Sequence, residues 1–397
     1  MKQPWIYNVW IDSLFILGIP FFITALILLL PASFRAPDSM TVVSWALLVV
    51  AVDVSHVYST LYRTYLDKET RNQHSVFLYI MPFFVFVGCF ILYSLGAMVF
   101  WRVVAYLAVY HFTRQQYGFL RIYSRSENAS AWARRIDALT IYSAALYPIL
   151  DWHLSGQKSF NWFMQGDFYY FASSTAKAWA LGAYLSVLGI YVVKEILQLW
   201  KNRTIAMEKQ SYPLLFNIPR NTIILGTIIS WYIGIVYLNS DLAFTAINVV
   251  SHGIPYMALV WIWGRKKYEN IVNNEMGKEK TPESTTTKTA YHAQSAWAFI
   301  FRPRYVLLFI AFLFLLGYIE EGFWNIWVWH EKEHVAFFSF FHKLSGNTIY
   351  GNDWLKFAVP LLSVPQITHY IIDGFIWKIR KDKYAWQVTL SSTKEVK

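Results

Sequence analysis

Four histidines fall inside apolar stretches of this chain, and each has polar companions at helical spacing. They are His56 in DVSHVYSTLYR, His111 in VYHFTRQQYGFLR, His252 in INVVSHGIPYMALVW and His369 in PQITHYIIDGFIWK. Residues three or four apart share one face of a helix. Asp53 precedes His56 by three, and Thr60 and Arg63 extend that stripe. Arg114, Gln115 and Gly118 follow His111, while Asn248 and Tyr256 bracket His252. Gln366 precedes His369 by three and Asp373 follows it by four. Ionisable groups inside a bilayer are costly and turn toward a bundle interior or a cavity. Four such stripes point to a shared interior site.

The chemistry these residue types suit is metal binding. Imidazole accepts iron, zinc and copper, and carboxylates extend the set toward harder ions. The candidate ligands are His56, His111, His252 and His369, with Asp53 and Asp373 as ligands or as acceptors of a histidine's second N–H. Arg114, Gln115 and Tyr256 are expected to position a substrate and serve its chemistry. Arg63, Arg114 and Arg121 either hold an anionic substrate group or snorkel to inner headgroups. The lone cysteine, Cys89, leaves no thiolate set for an iron–sulfur cluster. Non-haem iron is the expected cofactor, with zinc, copper and bis-histidine haem as alternatives. A metal-free proton relay, a ligand cavity and hydrogen-bonded packing would each leave the same pattern.

A second pattern competes with the first. His330, Glu331 and His334 in WHEKEHV spell H-E-x-x-H, the arrangement in which two histidines on one helix face bind zinc beside a catalytic glutamate. The four-residue spacing meets the first requirement of a zinc peptidase, but a third ligand is missing. Beyond His334 the sole glutamate is Glu395, and His342 lies outside the H-x-x-G-x-x-H continuation. Trp324, Trp327 and Trp329 precede the motif, and Phe337, Phe338, Phe340 and Phe341 follow it. Such an aromatic cluster after a span reads as an interfacial belt. Peptidase chemistry is not expected.

The elements that must position the four histidines follow from composition. The chain is 56% hydrophobic and 15% charged, against roughly 25% charged residues in soluble domains. Apolar runs long enough to cross a bilayer recur. They predict an all-α fold, a polytopic transmembrane bundle of about ten spans. These lie near 10–32, 40–62, 76–98, 100–122, 137–155, 176–200, 221–238, 241–264, 299–319 and 354–377. Lys and Arg follow every even-numbered span, as in RTYLDKETR, RIYSRSENASAWARR, KNRTIAMEKQ, RKKYENIV and KIRKDK. Cytoplasmic loops hold that excess, so both termini are expected in the cytoplasm. The net charge of +11 is thus a topology signal and not a nucleic-acid footprint. All four histidines lie on even-numbered spans, two to four turns before the basic end, which puts them in one slab of the inner half of the membrane.

Residues 1–264 are expected to carry spans one to eight, and 265–296 a flexible cytoplasmic linker rich in Thr, Lys and Glu. Residues 297–397 hold the last two spans, an interfacial segment and a short basic tail. Pro82, Pro148, Pro255, Pro360 and Pro365 should kink or break spans. In broad arrangement the chain resembles polytopic, histidine-ligated membrane oxygenases, although the HxxHH clusters of the membrane desaturases are absent. The expected function is an integral-membrane metalloenzyme, a non-haem iron oxidoreductase acting on a lipophilic substrate. The alternative is a proton-coupled secondary transporter using the same His/Asp cavity. Expected partners are a lipophilic or amphiphilic small molecule, membrane lipids and an electron-donor protein. The expected location is a bacterial inner membrane.

Overall fold

Where water cannot reach a backbone, each N–H and C=O must find its partner within the chain, and a helix does this locally. The computed structural model follows that rule. It describes residues 3–37, 39–209, 214–278, 298–331, 335, 338–339 and 352–377. Among the described residues every regular element is helical and no strand occurs.

The helices coincide with the apolar stretches. In chain order they are α1 (Val9–Leu17), α2 (Ile19–Leu29), α3 (Val42–Arg63) and α4 (Lys68–Gln73). Next come α5 (Ser75–Leu95), α6 (Ala97–Tyr123), α7 (Ala131–Ser155) and α8 (Ser174–Lys209). The chain continues through α9 (Ile218–Trp231), α10 (Asp241–Lys267), α11 (Pro303–Trp329), α12 (Asn352–Leu362) and α13 (Val364–Ile376). Among the described residues five are long and apolar enough to cross a membrane: α3, α5, the Ser174–Met207 part of α8, α10 and α11, or six if the α1–α2 pair is one span. Broad apolar faces such as Val76, Phe83 and Phe84 on α5 and Trp179, Val193 and Leu197 on α8 are exposed. In water such faces would be an aggregation surface; hydrocarbon covers them. This is a membrane protein. Of the five helices α10 is the most enclosed, with 78% of its apolar window buried against 17–39% in the others.

Side chains fix where several helices begin. Asn8, Thr41, Asp67, Ser130, Asn217 and Ser240 each accept a first-turn N–H, which satisfies donors that the helix leaves open. Four of the five flagged prolines do not break their helix. Pro82, Pro148, Pro255 and Pro360 sit inside continuous helices. Breaks come instead at Gly18 and Ser363, and Pro20 and Pro365 follow them in the first turn of α2 and α13, where no N–H is needed. α1 and α2 meet at 51°. There the Gly18 N–H donates to the Ser13 carbonyl at 2.8 Å, and a Cβ at position 18 would collide with that same oxygen. Only glycine allows this approach.

Among the described residues five helical segments also widen to i→i+5 hydrogen bonding: Ser13–Leu17, Ala46–Val54, Tyr232–Tyr237, Thr245–Val249 and Asn325–Trp329. Two of them end two or three residues before a histidine of interest, His56 and His252. Such wide turns are uncommon and concentrate where a side chain must be re-aimed.

The chain divides into two units, each assembled from separated stretches. The first comprises Met1–Met40 and Ala105–Pro255, and the second Thr41–Val104 and Tyr256–Lys397. The first has an aromatic core around Phe112, Trp152, Phe160, Phe168 and Phe244. The second is centred on Tyr62, Tyr256, Phe301, Phe309 and Leu313. The stretch expected to begin the linker remains helical to Lys278, and the rest of it, 279–296, lies outside the described residues. So do the basic tail beyond Trp377 and His334, Phe337, Phe340, Phe341 and His342.

Candidate functional site

In the second unit, residues from three helices meet. α3 supplies Asp53, His56 and Thr60, α10 supplies Tyr256, and α13 supplies His369 and Asp373. His56 and His369 stand edge to face, with ring centroids 5.0 Å apart and planes at 79°. Their ring nitrogens lie within 4.8 Å of each other, and both residues are buried. Each has an acidic companion on its own helix: Asp53 lies 3.6 Å from His56 Nδ1, and Asp373 3.7 Å from His369 Nδ1. These are the i,i+3 and i,i+4 pairs that helical spacing predicts.

A hydrogen-bonded chain links the three helices. Thr60 Oγ1 lies 2.6 Å from His369 Nδ1 and 2.9 Å from the Tyr256 hydroxyl. The Tyr256 hydroxyl in turn donates to Asp373. Tyr256 also sets its ring against both imidazoles, 5.1 Å from His369 and 6.0 Å from His56. The donor set is thus imidazole nitrogen and carboxylate oxygen with a phenol and a hydroxyl as orienting groups. That chemistry fits a borderline-to-hard transition metal and not a soft, thiolate-seeking one.

Glu320, on α11, is not among the residues that the sequence pattern singles out. Its side chain is buried and accepts a hydrogen bond from Trp324 Nε1 at 3.2 Å. Gly317, one turn earlier on α11, lets that helix approach α3 closely: a Cβ there would lie 3.0 Å from the Val50 carbonyl. Gln366 turns to Tyr370, donating at 2.8 Å.

In the first unit a second histidine pair forms. His111 and His252 stand edge to face at 4.9 Å, and Phe112 stacks flat on His252 at 3.6 Å. Gln115 donates to the His252 carbonyl at 2.8 Å. Asn248 donates to the Phe244 carbonyl at 3.0 Å.

The arginines divide. Arg114 is exposed, donates to the Tyr142 hydroxyl at 2.5 Å and lies over Tyr117 at 5.2 Å. Arg63 neither snorkels nor faces outward. It is buried, bonds Thr70 Oγ1 at 2.5 Å and packs over Trp263 at 4.5 Å, the cation–π contact a desolvated guanidinium favours.

The H-E-x-x-H stretch departs from its expected geometry. His330 adopts the left-handed conformation, φ 53°, immediately after the last turn of α11. The Asn325 carbonyl and side chain take up the N–H groups of His330 and Glu331. The helix therefore ends before the motif begins, and the expectation that His330 lies on a helix face fails. His153, at the end of α7, is held by the Tyr169 carbonyl at 2.6 Å and the Tyr106 hydroxyl at 3.3 Å. Asp151 pairs with Lys177 at 3.0 Å.

Comparison with known protein families, with curated proteins and with solved structures finds no match.

Proposed function

We propose that this membrane protein is a metal-dependent oxidoreductase, with non-haem iron as its cofactor and a lipophilic molecule as its substrate. The observation that carries the proposal is the buried His56–His369 pair, each imidazole with a carboxylate within 4 Å on its own helix. Two histidines and a carboxylate are the ligand set of many non-haem iron oxygenases. His56 and His369 would hold the metal, with Asp53 or Asp373 completing or orienting the set. When bound, iron supplies a redox centre that the side chains lack. Thr60 engages His369 Nδ1 and so favours Nε2 as the ligand atom. Tyr256 and Asp373 are placed to hold a proton beside it. The common depth read from sequence extends the candidate ligands to His111 and His252, and an electron-donor protein would supply reducing equivalents.

The test is the iron content of the detergent-purified protein, by elemental analysis with an absorption spectrum. Near-stoichiometric iron without a haem band is the expected result. No metal retained after reconstitution with iron, zinc and copper would overturn the proposal. One observation favours a second reading. The chain Asp373–Tyr256–Thr60–His369 is continuous without a metal and suits a proton relay, as in a proton-coupled transporter. Substrate-dependent proton uptake by vesicles holding the metal-free protein would favour that reading.

We further propose ten spans with both termini in the cytoplasm of a bacterial inner membrane, on the strength of the basic residues that follow each even-numbered span. In a Cys89→Ser background, cysteines at the exposed positions Asn72 and Ser126 should label only from the cytoplasmic side. A cysteine at Asn239, also exposed, should label only from outside. Labelling of all three from one side would sink this topology.

A further inference from the structure

Helices α6 and α7 of the first unit carry an outward patch with the layout of an amphiphile, polar at one end and apolar at the other. The two helices run antiparallel: Tyr106 meets His153, and further along α6 Arg114 meets Tyr142. Continued along both helices, that register sets Arg121 level with Arg135, Gly118 level with Ala138, and Tyr110 level with Leu146. Arg114 and Arg135 are exposed and Arg121 is half-buried. Among the described residues none of the three pairs with a carboxylate. The acids of this end are engaged elsewhere, Asp137 with Lys194 and Arg220, and Glu127 with Arg220.

Arg114 does not snorkel. It lies about 10 Å before Arg121 along α6. Its guanidinium is fixed by the Tyr142 hydroxyl and the Tyr117 ring, which stacks on Tyr142 at 5.3 Å. A cation exposed at membrane depth calls for an anion beside it. Arg114 has N–H groups left to give, and the Tyr142 hydroxyl, which accepts from Arg114, keeps its own hydrogen to donate. Between the two arginine levels lies a notch. A Cβ at Gly118 would meet nothing within 4 Å, and Ala138 is the small residue across from it. Guanidinium groups match the oxygens of a phosphate. On the other side of Arg114, Leu107 and Tyr110 of α6 and Leu146 and Leu150 of α7 are exposed, an apolar track for an acyl chain. Cations without carboxylates select a net-negative headgroup, since a zwitterionic lipid would bring an ammonium against them.

We propose that the notch binds the phosphate of one anionic phospholipid, with an acyl chain along the apolar track. The site is independent of the metal reading and survives or fails on its own. The full chain in detergent is titrated with dioleoylphosphatidylglycerol or dioleoylphosphatidylcholine, and bound lipid is counted by native mass spectrometry. Phosphatidylglycerol should give a saturable single adduct, held about tenfold more tightly than phosphatidylcholine, and inorganic phosphate should not displace it. Gly118→Leu fills the notch, keeps every charge and suits a helix better than glycine; it should remove the adduct. Arg114→Gln should weaken binding about tenfold through the lost charged hydrogen bonds. Arg304→Gln, which removes an exposed cation of the second unit, should leave it unchanged. Equal binding of the two lipids, displacement by inorganic phosphate, or an adduct unaltered in Gly118→Leu or in Arg114→Gln would each overturn the proposal. The lipid comparison and the phosphate competition use the unaltered chain, so they decide the matter even where a variant fails to fold.

Discussion

In His56→Ala and in His369→Ala, bound iron should fall at least about tenfold while helix content and elution volume stay unchanged. Each imidazole is a proposed ligand, and loss of even a group that only orients a ligand lowers metal affinity or activity by roughly 10–100-fold. Asp53→Asn and Asp373→Asn should therefore show the smaller, orienting effect, with iron weakened but not lost. Tyr256→Phe removes the hydroxyl between Thr60 and Asp373 and should act on turnover more than on iron. His153→Ala is the control, since its ring is held by Tyr106 and Tyr169, and it should keep full occupancy. His111→Ala and His252→Ala complete the series. Iron retained in both would confine the ligands to the second unit. Wild-type iron in both His56→Ala and His369→Ala would remove the basis for the metal proposal.

The pairs that make this series possible were partly legible in the sequence. Asp53–His56 and His369–Asp373 are contacts within one helix, and spacing alone predicts them. Tyr256 was read as a neighbour of His252 one turn away, yet its hydroxyl turns to Thr60 and Asp373, 196 and 117 positions distant. Contacts of that range depend on which helix faces pack together, and helical periodicity does not report it. Glu320 escaped for a different reason. A carboxylate near a span end looks the same in sequence whether it is solvated or folded back under a tryptophan. The apolar stretches themselves were easy to find because span length and hydropathy are local properties. The breaks were not. Four of the five flagged prolines stay within unbroken helices, and one break depends on a glycine whose missing Cβ makes room for a carbonyl.

The largest stability effect should come from Arg220→Met. Its guanidinium reaches three carboxylates and grips Glu195 with two bonds, geometry that lysine cannot reproduce. Removing one partner of a buried ionic network leaves uncompensated charge and costs about 3–5 kcal/mol. Lys194 alone would then face Asp137 and Glu195, and Glu127 would lose its cation. Thermal unfolding in detergent should show a correspondingly large drop in Tm, and Arg220→Lys a smaller one. Adding Glu195→Gln to Arg220→Met should restore part of the loss, because it removes one stranded charge. A Tm for Arg220→Met within a degree or two of the wild type would mean that the network contributes little. Lys194 and Glu195 are neighbours in sequence. Their partners come from α7, α9 and the segment after α6, which again is a matter of packing.

The widened turns have a bearing on how such a chain tolerates change. A helix with an i→i+5 turn holds one residue more than its path requires, a spare link in an otherwise taut rod. Over Ala46–Val54 and Thr245–Val249 that surplus lies just ahead of His56 and His252. Passing the spare link one turn along would rotate the residues it crosses by about 100°, since one α-helical residue spans that angle, and leave both ends of the helix in place. The imidazoles thus sit on segments whose facing can be reset without lengthening the span. Sequence drift and local motion can both act through that same slack.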